Sequence, residues 1–248
     1  MAAGVTCGHP GRDADERGGL TMMGASVRRR HAAWAGVAWL WPGWLGAQPR
    51  EDKANGPPNV IDGAELVRAL RHGGYVLYFR HGKTDLSTSD SDRTSLSNCA
   101  TQRILSAEGR QQMTDIGQQM RRLGIQVGTV LASPYCRTLD TAKLAWGRVS
   151  AEPELVHTVT ADAATTQQRA AALSKLLATV PQAGTNSVLS GHTGNLLEAT
   201  GIWPSPEGVA IVFKPDGRGA SSYVATIPPT RWAAWAGELA PSASKPRR

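Results

Sequence analysis

The chain has 248 residues, of which 41% are hydrophobic and 19% charged, and its formal net charge is +7. This length and apolar content are enough for one well-buried globular domain with a tail at either end. The positive charge suits an anionic substrate. The Lys and Arg residues form no stripe along any predicted helix, however, which argues against a nucleic-acid-binding protein.

The first 47 residues have the composition of a secretory leader. An arginine triplet at 28–30 precedes an apolar run at 32–45, and small residues then lead to Gln48. This order is typical of a signal peptide, so we predict cleavage after Ala47 and a periplasmic or secreted protein. A retained membrane anchor is the alternative. The run is short for a membrane span and contains Pro42, so we expect no stable span after cleavage.

These features divide the chain into four segments. They are a leader with a signal peptide at 1–47, a linker at 48–60, one globular domain at 61–240 and a disordered tail at 241–248. The sequence carries no signal for the oligomeric state.

The predicted domain alternates between helical and extended patterns in chain order. A helix at 63–73, which Asp62 can cap, precedes a strand at 75–79, and after a polar loop at 86–98 a helix runs from Ser106 to Gly124. The following elements are a strand at 127–133, a helix at 135–147, a short strand at 154–159, a helix at 166–180, a strand at 186–192, a helix at 193–201 and strands at 208–215 and 222–227. This alternation predicts an α/β three-layer sandwich, in which helices flank a largely parallel central sheet.

Cationic side chains follow three of the predicted strands. Arg80 and His81 come directly after the first strand, Arg137 lies four residues beyond Ser133 at the end of the second, and His192 ends a later strand. In such sheets, ligands bind at the carboxyl ends of the strands. Because these groups would repel one another without an anion between them, we expect a phosphoryl group as their ligand.

Four motifs in order resemble those of the histidine phosphatase superfamily, which includes cofactor-dependent phosphoglycerate mutases, acid phosphatases and phytases. The motifs are R-H-G-x-T at 80–84, "LSAEGRQQ" at 105–112, "SPYCRTLDTA" at 133–142 and "VLSGHTG" at 188–194. The resemblance extends over about residues 74–225 and implies a phosphoglycerate mutase-like fold.

The resemblance also implies roles for the quartet at the strand ends. His81 corresponds to the nucleophile that forms a phosphohistidine, while Arg80, Arg137 and His192 hold the phosphoryl oxygens. Four neighbouring residues are candidates for binding the phosphate or the rest of the substrate: Gly82, Thr84, Ser87 and Arg103. No metal or cofactor is implied, since the arginines supply the positive charge.

The proton donor is the point at which the chain departs from the family. His157 stands where the mutase-like branch has a glutamate, and Thr193 stands where the acid-phosphatase branch has an aspartate. We predict Asp85 as the catalytic carboxylate, because it is closest in sequence to His81. The alternatives that stay open are His157, Asp162, Glu198 and Glu207.

Two cysteines, Cys99 and Cys136, lie outside the leader, and Cys7 lies within it. In an oxidising compartment such a pair can form a disulfide, which on the chain-entropy model would stabilise the fold by roughly 3 to 4 kcal/mol. Two buried free thiols are the alternative. A metal site is disfavoured, because neither cysteine has a partner at C-x-x-C spacing.

Together these patterns predict an exported phosphomonoester hydrolase that acts through a phosphohistidine on a small phosphorylated sugar or envelope component. The pattern is similar to that of bacterial phosphatases assigned to lipopolysaccharide core heptose phosphate. One alternative is a binding protein that keeps the phosphate pocket without turnover. Another is phosphoglycerate mutase-type phosphotransfer, against which the missing glutamate argues.

Overall fold

A computed structural model describes residues 57–240 of the chain. The predicted leader, most of the predicted linker and the predicted tail lie outside these residues. The cleavage site after Ala47 and the division into four segments therefore stay predictions.

Helices and strands alternate through most of the described chain. The helices are α1 (Gly63–His72), α2 (Ala107–Arg122), α3 (Cys136–Trp146), α4 (Ala163–Leu177), α5 (Thr193–Thr200) and α6 (Arg231–Leu239). The strands are β1 (Val76–Arg80), β2 (Val127–Ala132), β3 (Ser150–Ala151), β4 (Asn186–Gly191), β5 (Ala210–Pro215) and β6 (Ser221–Ile227). Within residues 57–240, no helix is both long enough and apolar enough to cross a membrane.

The six strands form one mixed sheet in the order β3-β2-β4-β1-β5-β6. The first four strands in this order are parallel, whereas β5 pairs antiparallel with both β1 and β6. Because β2, β4 and β1 are neighbours, their carboxyl ends lie side by side at one edge. The α/β sandwich with a largely parallel sheet is thus confirmed.

Strand β1 shows why its sequence is apolar at almost every position. Leu77 and Phe79 pack into a core shared with α1, α2, α3 and α6, whereas Val76 and Tyr78 pack into a second core shared with α4 and α5. Alternate residues of a strand point to opposite faces of the sheet, so a strand covered on both faces loses the usual polar alternation. The helices therefore form two layers around the sheet.

Three of the helices have an N-cap residue whose side chain accepts a hydrogen bond from a first-turn amide. Two of these N-caps were predicted from the sequence. Asp62 accepts a hydrogen bond from the amide of Gly63 at the start of α1, and Ser106 accepts one from the amide of Gly109 at the start of α2. Asp162 caps α4 in the same way. Each side chain satisfies an amide that the first turn of a helix leaves without a partner.

The predicted strand at 154–159 is wrong. The strand that pairs with β2 is Ser150–Ala151, and residues Pro153–Leu155 form a 3₁₀ turn instead. Pro153 has no amide hydrogen for a sheet ladder and suits the first turn of a helix. The side chain of Glu152 accepts a hydrogen bond from the amide of Glu154 and so stabilises this turn.

Helix α6 was not predicted from the sequence. It buries Trp232 and Trp235 against the core beside Phe79, whose ring stacks on that of Trp232 at a centroid distance of 6.2 Å. The helix has only nine residues, and alanines separate its aromatic residues. A segment this short carries too few turns for its apolar periodicity to stand out.

Candidate active site

The sheet brings the predicted quartet to one edge. His81 follows β1, His192 follows β4, and Arg137 lies in the first turn of α3, shortly after β2. The rings of His81 and His192 are 5.7 Å apart between centroids. Adjacent parallel strands therefore place both histidines beside the helix that carries Arg137.

The imidazole of His81 is buried, with 3% of the residue exposed. Its Nδ1 lies 3.0 Å from the carbonyl oxygen of Gly82, which can only accept a hydrogen bond, so the proton of the neutral ring is on Nδ1 and the lone pair is on Nε2. Burial lowers the pKa of His81 well below its ordinary value of 6.5, and the charges of Arg137 and Arg80 lower this pKa further. A neutral imidazole with a free Nε2 is the nucleophilic form.

Gly82 allows α2 to pack closely against the residues that follow β1. A Cβ at Gly82 would come within 2.7 Å of Met113 Cγ, and one at Gly109 would collide with the backbone of Lys83. The amide of Gly82 already donates to the hydroxyl of Thr141 at 2.9 Å. The glycines of two motifs thus allow α2 to contact the loop that carries His81.

Arg137 is the most buried cation of the site, with 1% of the residue exposed. Its Nη1 donates to Asp90 Oδ1 at 2.9 Å, and its guanidinium carbon lies 4.4 Å from the centre of the Tyr135 ring. Burial lowers the pKa of Arg137, whereas the charge of Asp90 raises it. Asp90 therefore balances the charge of a guanidinium that would otherwise be buried alone.

Asp90 belongs to the polar loop predicted at 86–98, but its role was not predicted. Its Oδ1 also accepts a hydrogen bond from the amide of Arg103 at 3.0 Å. Burial alone would raise the pKa of Asp90. The hydrogen bond from Arg103 and the charge of Arg137 outweigh burial and lower the pKa below its ordinary value.

Several buried nitrogen atoms of this cluster find no hydrogen-bond partner among residues 57–240. They are the Nε atoms of Arg80, Arg103 and Arg137 and the Nδ1 of His192. The other ring nitrogen of His192, Nε2, lies 2.9 Å from Ser133 Oγ, and this hydroxyl can donate to it, which leaves a proton on Nδ1. Buried polar groups are normally paired, so these nitrogens fit a ligand with several acceptor oxygens.

Glu207 is the carboxylate that the structure places beside His81. Its Oε1 lies 3.8 Å from His81 Nδ1 and 3.4 Å from Arg80 Nη2. Thr84 donates to this side chain twice, from its amide at 3.0 Å and from its hydroxyl at 2.9 Å. Arg103 Nη2 is 4.0 Å from the same Oε1.

The sequence offered Glu207 only as one of several alternatives to Asp85. Asp85 instead accepts hydrogen bonds from the amide and hydroxyl of Ser87 at 2.9 and 2.7 Å, an arrangement typical of a turn. The structure therefore corrects the placement of both Asp85 and Ser87, which stabilise a loop rather than contact the histidines. Glu207 was hard to identify because it precedes β5, whose antiparallel direction cannot be read from its sequence pattern.

His157 lies next to His192, with 4.7 Å between the ring centroids. The amide of Val159 donates to His157 Nδ1 at 3.0 Å, so the neutral ring carries its proton on Nε2. Burial lowers the pKa of His157 to about 4, and the charge of Arg137 contributes. At neutral pH this side chain can therefore donate a hydrogen bond but is not a reservoir of an acidic proton.

Cys99, which directly follows the polar loop, forms a disulfide with Cys136 of α3. Cys136 is the first residue of α3 and directly precedes Arg137. The bond therefore connects the loop of Asp90 with the helix of Arg137, the two partners of the buried ion pair. In the part of the chain that the structure describes, no group of three or more His, Cys, Asp or Glu residues is arranged to hold a metal ion.

Several solved structures have a similar architecture. They include the protein histidine phosphatase SixA with tungstate (18% identity, 63% of this chain and 98% of that chain, TM-score 0.45). A mycobacterial glucosyl-3-phosphoglycerate phosphatase is 15% identical over 61% of this chain and 97% of that chain, with a TM-score of 0.44. A phosphoserine phosphatase from Entamoeba histolytica, with 3-phosphoglyceric acid, is 16% identical over 62% and 96%, also with a TM-score of 0.44. At this level of similarity the neighbours carry no information about the reaction of this chain.

No curated protein sequence matches the chain significantly. The model of the histidine phosphatase superfamily (branch 1) does match, over residues 76–159. This segment begins with β1 and contains His81, Arg103, Arg137 and His157. His192, outside the matched segment, completes the same cluster at the end of β4. Residues 76–159 are therefore similar to the histidine phosphatase superfamily (branch 1).

Proposed function

We propose that the protein hydrolyses phosphomonoesters through a phosphohistidine at His81. The observation that carries the proposal is a neutral, buried His81, with its lone pair on Nε2, next to arginines whose Nε atoms lack partners within residues 57–240. Nε2 attacks phosphorus in line with the leaving oxygen, and the ester bond breaks. Water then attacks the phosphohistidine, releasing phosphate and neutral His81.

The arginine cluster supplies the electrostatic part of this proposal. Charge spreads over the equatorial oxygens of a phosphoryl group in transfer, and fixed guanidinium groups stabilise it without moving. Arg80, Arg103 and Arg137 are already held by Glu207 and Asp90. Catalysis therefore requires no reorganisation of these side chains when the charge develops.

Export belongs to the same proposal. We propose that the signal peptide is removed after Ala47 and that the protein acts outside the cytoplasm on a phosphorylated sugar or envelope component. The disulfide between Cys99 and Cys136 supports this location, because such bonds persist in oxidising compartments. Mass spectrometry of the protein recovered from outside the cytoplasm should give Gln48 as the first residue. An N-terminus upstream of residue 30 would contradict cleavage.

Hydrolysis can be tested with p-nitrophenyl phosphate in the presence of EDTA. The wild-type protein should release p-nitrophenolate, and His81→Ala should lose all but a few per cent of this rate, because the attacking nitrogen is removed. His72→Ala is the matched control, since the exposed His72 only contacts the carbonyl of Arg68 at the end of α1. Binding of phosphate by the wild-type protein without turnover would instead identify a binding protein.

A further inference from the structure

The proposed reaction requires a proton donor that the family's pattern does not supply in this chain. When the ester bond breaks, the leaving oxygen of an alkyl phosphate needs a proton, because an alkoxide is a poor leaving group. His157 occupies the position at which the mutase-like branch has a glutamate. The donor must therefore be found among the other residues of this chain. Its identification rests on the proposed hydrolysis.

His157 is excluded by its hydrogen bond to the backbone. Protonation of its ring would put a hydrogen on Nδ1, facing the amide hydrogen that Val159 already directs at the same atom. Two donors would then oppose each other, which is unfavourable. His157 therefore stays neutral and can offer only the hydrogen bond of its Nε2.

The other carboxylates are excluded by their positions. Asp90 contacts Arg137 and the amide of Arg103, and among the described residues it has no ion pair with His81. Asp85 and Asp162 cap a turn and a helix, and Glu198 is exposed on α5. Among the described residues considered as proton donors, Glu207 is the one beside His81.

We propose that Glu207 is the general acid and base of the reaction. Its Oε2 is fixed by the amide of Thr84, whereas its Oε1 faces the cluster, 3.4 Å from Arg80 Nη2 and 3.8 Å from His81 Nδ1. The side chain is largely buried, with 18% exposed. Oε1 is therefore the oxygen that exchanges the proton.

The contact with Thr84 suits a carboxyl that gives up and takes back a proton. The hydroxyl of Thr84 lies 2.9 Å from Oε1 and can either donate or accept a hydrogen bond. It can thus contact Glu207 in both protonation states.

The proton balance closes over one turnover. In the first step, His81 Nε2 bonds to phosphorus, the ester bond breaks, and Glu207 gives its proton to the leaving oxygen, so an alcohol departs and Glu207 becomes a carboxylate. In the second step, water bonds to phosphorus, the bond to Nε2 breaks, and Glu207 takes the proton of the water. Phosphate departs, and both side chains return to their starting states.

The test compares two leaving groups in Glu207→Gln, which keeps the size and the hydrogen-bond acceptor of the side chain. We would measure kcat/KM, which reports the steps up to the first irreversible one, with p-nitrophenyl phosphate and with glycerol 2-phosphate. p-Nitrophenolate leaves without a proton, so its kcat/KM should fall less than about 5-fold. The value for glycerol 2-phosphate should fall about 100-fold or more, as expected for loss of a general acid.

Two variants serve as controls for Glu207→Gln, namely Glu108→Gln and Asp85→Asn. Glu108→Gln removes an exposed carboxylate that pairs with Lys83 and should change neither value. Equal losses for both esters in Glu207→Gln would show that Glu207 only holds the arginines, and no loss would show that it has no role; either result overturns the proposal. A selective loss of glycerol 2-phosphate turnover in Asp85→Asn would overturn it as well. Wild-type protein that hydrolyses neither ester would refute the hydrolase function itself, and with it the role of Glu207.

Discussion

At the scale of single residues, backbone groups fix the proton positions on two of the site's histidines. The carbonyl of Gly82 holds a proton on His81 Nδ1, whereas the amide of Val159 excludes one from His157 Nδ1. The same side chain therefore has a free lone pair on Nε2 at one position and a hydrogen-bond donor on Nε2 at the other. Since both backbone groups are fixed by the fold, these tautomers do not depend on the substrate.

Arg137 offers a test of geometry against charge. Its Nη1 is occupied by Asp90, and its Nε lacks a partner within the described residues. Arg137→Lys retains the charge, but its single nitrogen would pair with Asp90 and leave less for the phosphoryl oxygens. We expect kcat/KM to fall about 100-fold for every phosphomonoester, comparable to the loss of one oxyanion donor.

The control for this substitution is Arg110→Lys. Arg110 forms an exposed ion pair with Asp140 on the surface, so the exchange should leave kcat/KM unchanged. A panel of several phosphomonoesters separates the possible roles of Arg137. If Arg137→Lys reversed the ranking of the substrates and spared the best one, Arg137 would select substrates rather than hold the phosphoryl group.

At the scale of elements, the site shows what a sequence pattern can and cannot reveal. The positions of His81, His192 and Arg137 could be predicted, because parallel strands end at a common edge. Glu207 lies at that edge for the opposite reason: β5 is antiparallel, so its beginning lies beside the end of β1. The amide of Gly208 accordingly donates to the carbonyl of His81 at 2.9 Å.

Asp90 was equally difficult to predict, since it lies in a loop without periodicity. Its contact with Arg137 spans 47 residues of sequence and depends on how the loop folds back over α3. Spacing along the chain carries no signal for such a contact. The cysteines at 99 and 136 were the only sequence feature that connected the loop with α3.

The disulfide should stabilise both the fold and the site. It closes a loop with a sequence separation of 37, which corresponds to about 4 kcal/mol on the chain-entropy model. We expect the double variant Cys99→Ser, Cys136→Ser to lose free energy of unfolding of this order in urea titrations. Its kcat/KM should also fall, because the loop of Asp90 is no longer tied to the helix of Arg137.

Reductant provides the matched control for the double variant. It should destabilise the wild-type protein toward the level of the variant and have no effect on the variant itself. Equal stability of the two oxidised proteins would show that the bond contributes nothing to the fold. Unchanged kcat/KM in the variant would show that the loop holds Asp90 in place without it.

At the scale of the whole molecule, the domain keeps two buried histidines and the partly buried His157 uncharged beside its arginines. Burial holds the pKa of His81 and His192 well below 6.5 and lowers that of His157 to about 4, and Arg137 contributes to each shift. In the unfolded chain these side chains titrate near their ordinary value of 6.5. The unfolded state therefore binds more protons than the folded state below that pH.

The lowered pKa values of these histidines make the folded protein less stable at acidic pH. Because the folded pKa values are depressed, the free energy of unfolding should be at its full value above pH 6.5 and should fall as the pH drops from 6.5 toward 4. By pH 4, His157 alone accounts for roughly 3 kcal/mol of this loss, at 1.36 kcal/mol per pKa unit. Urea titrations between pH 7 and 4.5, in phosphate-free buffer, measure it.

His157→Gln isolates one contribution to this loss. Glutamine does not titrate, so the variant's free energy of unfolding should fall less steeply between pH 6.5 and 4.5 than that of the wild-type protein.

The aspartates of lowered pKa do not confuse the comparison, because they lose their contribution only below their ordinary value of 3.8. Phosphate must be absent, since an anion bound to the cluster favours protonated histidines and would flatten the curve. A wild-type free energy of unfolding that stayed constant from pH 6.5 to 4.5 would show that the histidines of the folded site titrate at ordinary values, and His81 would then not be held in its neutral, nucleophilic form by burial.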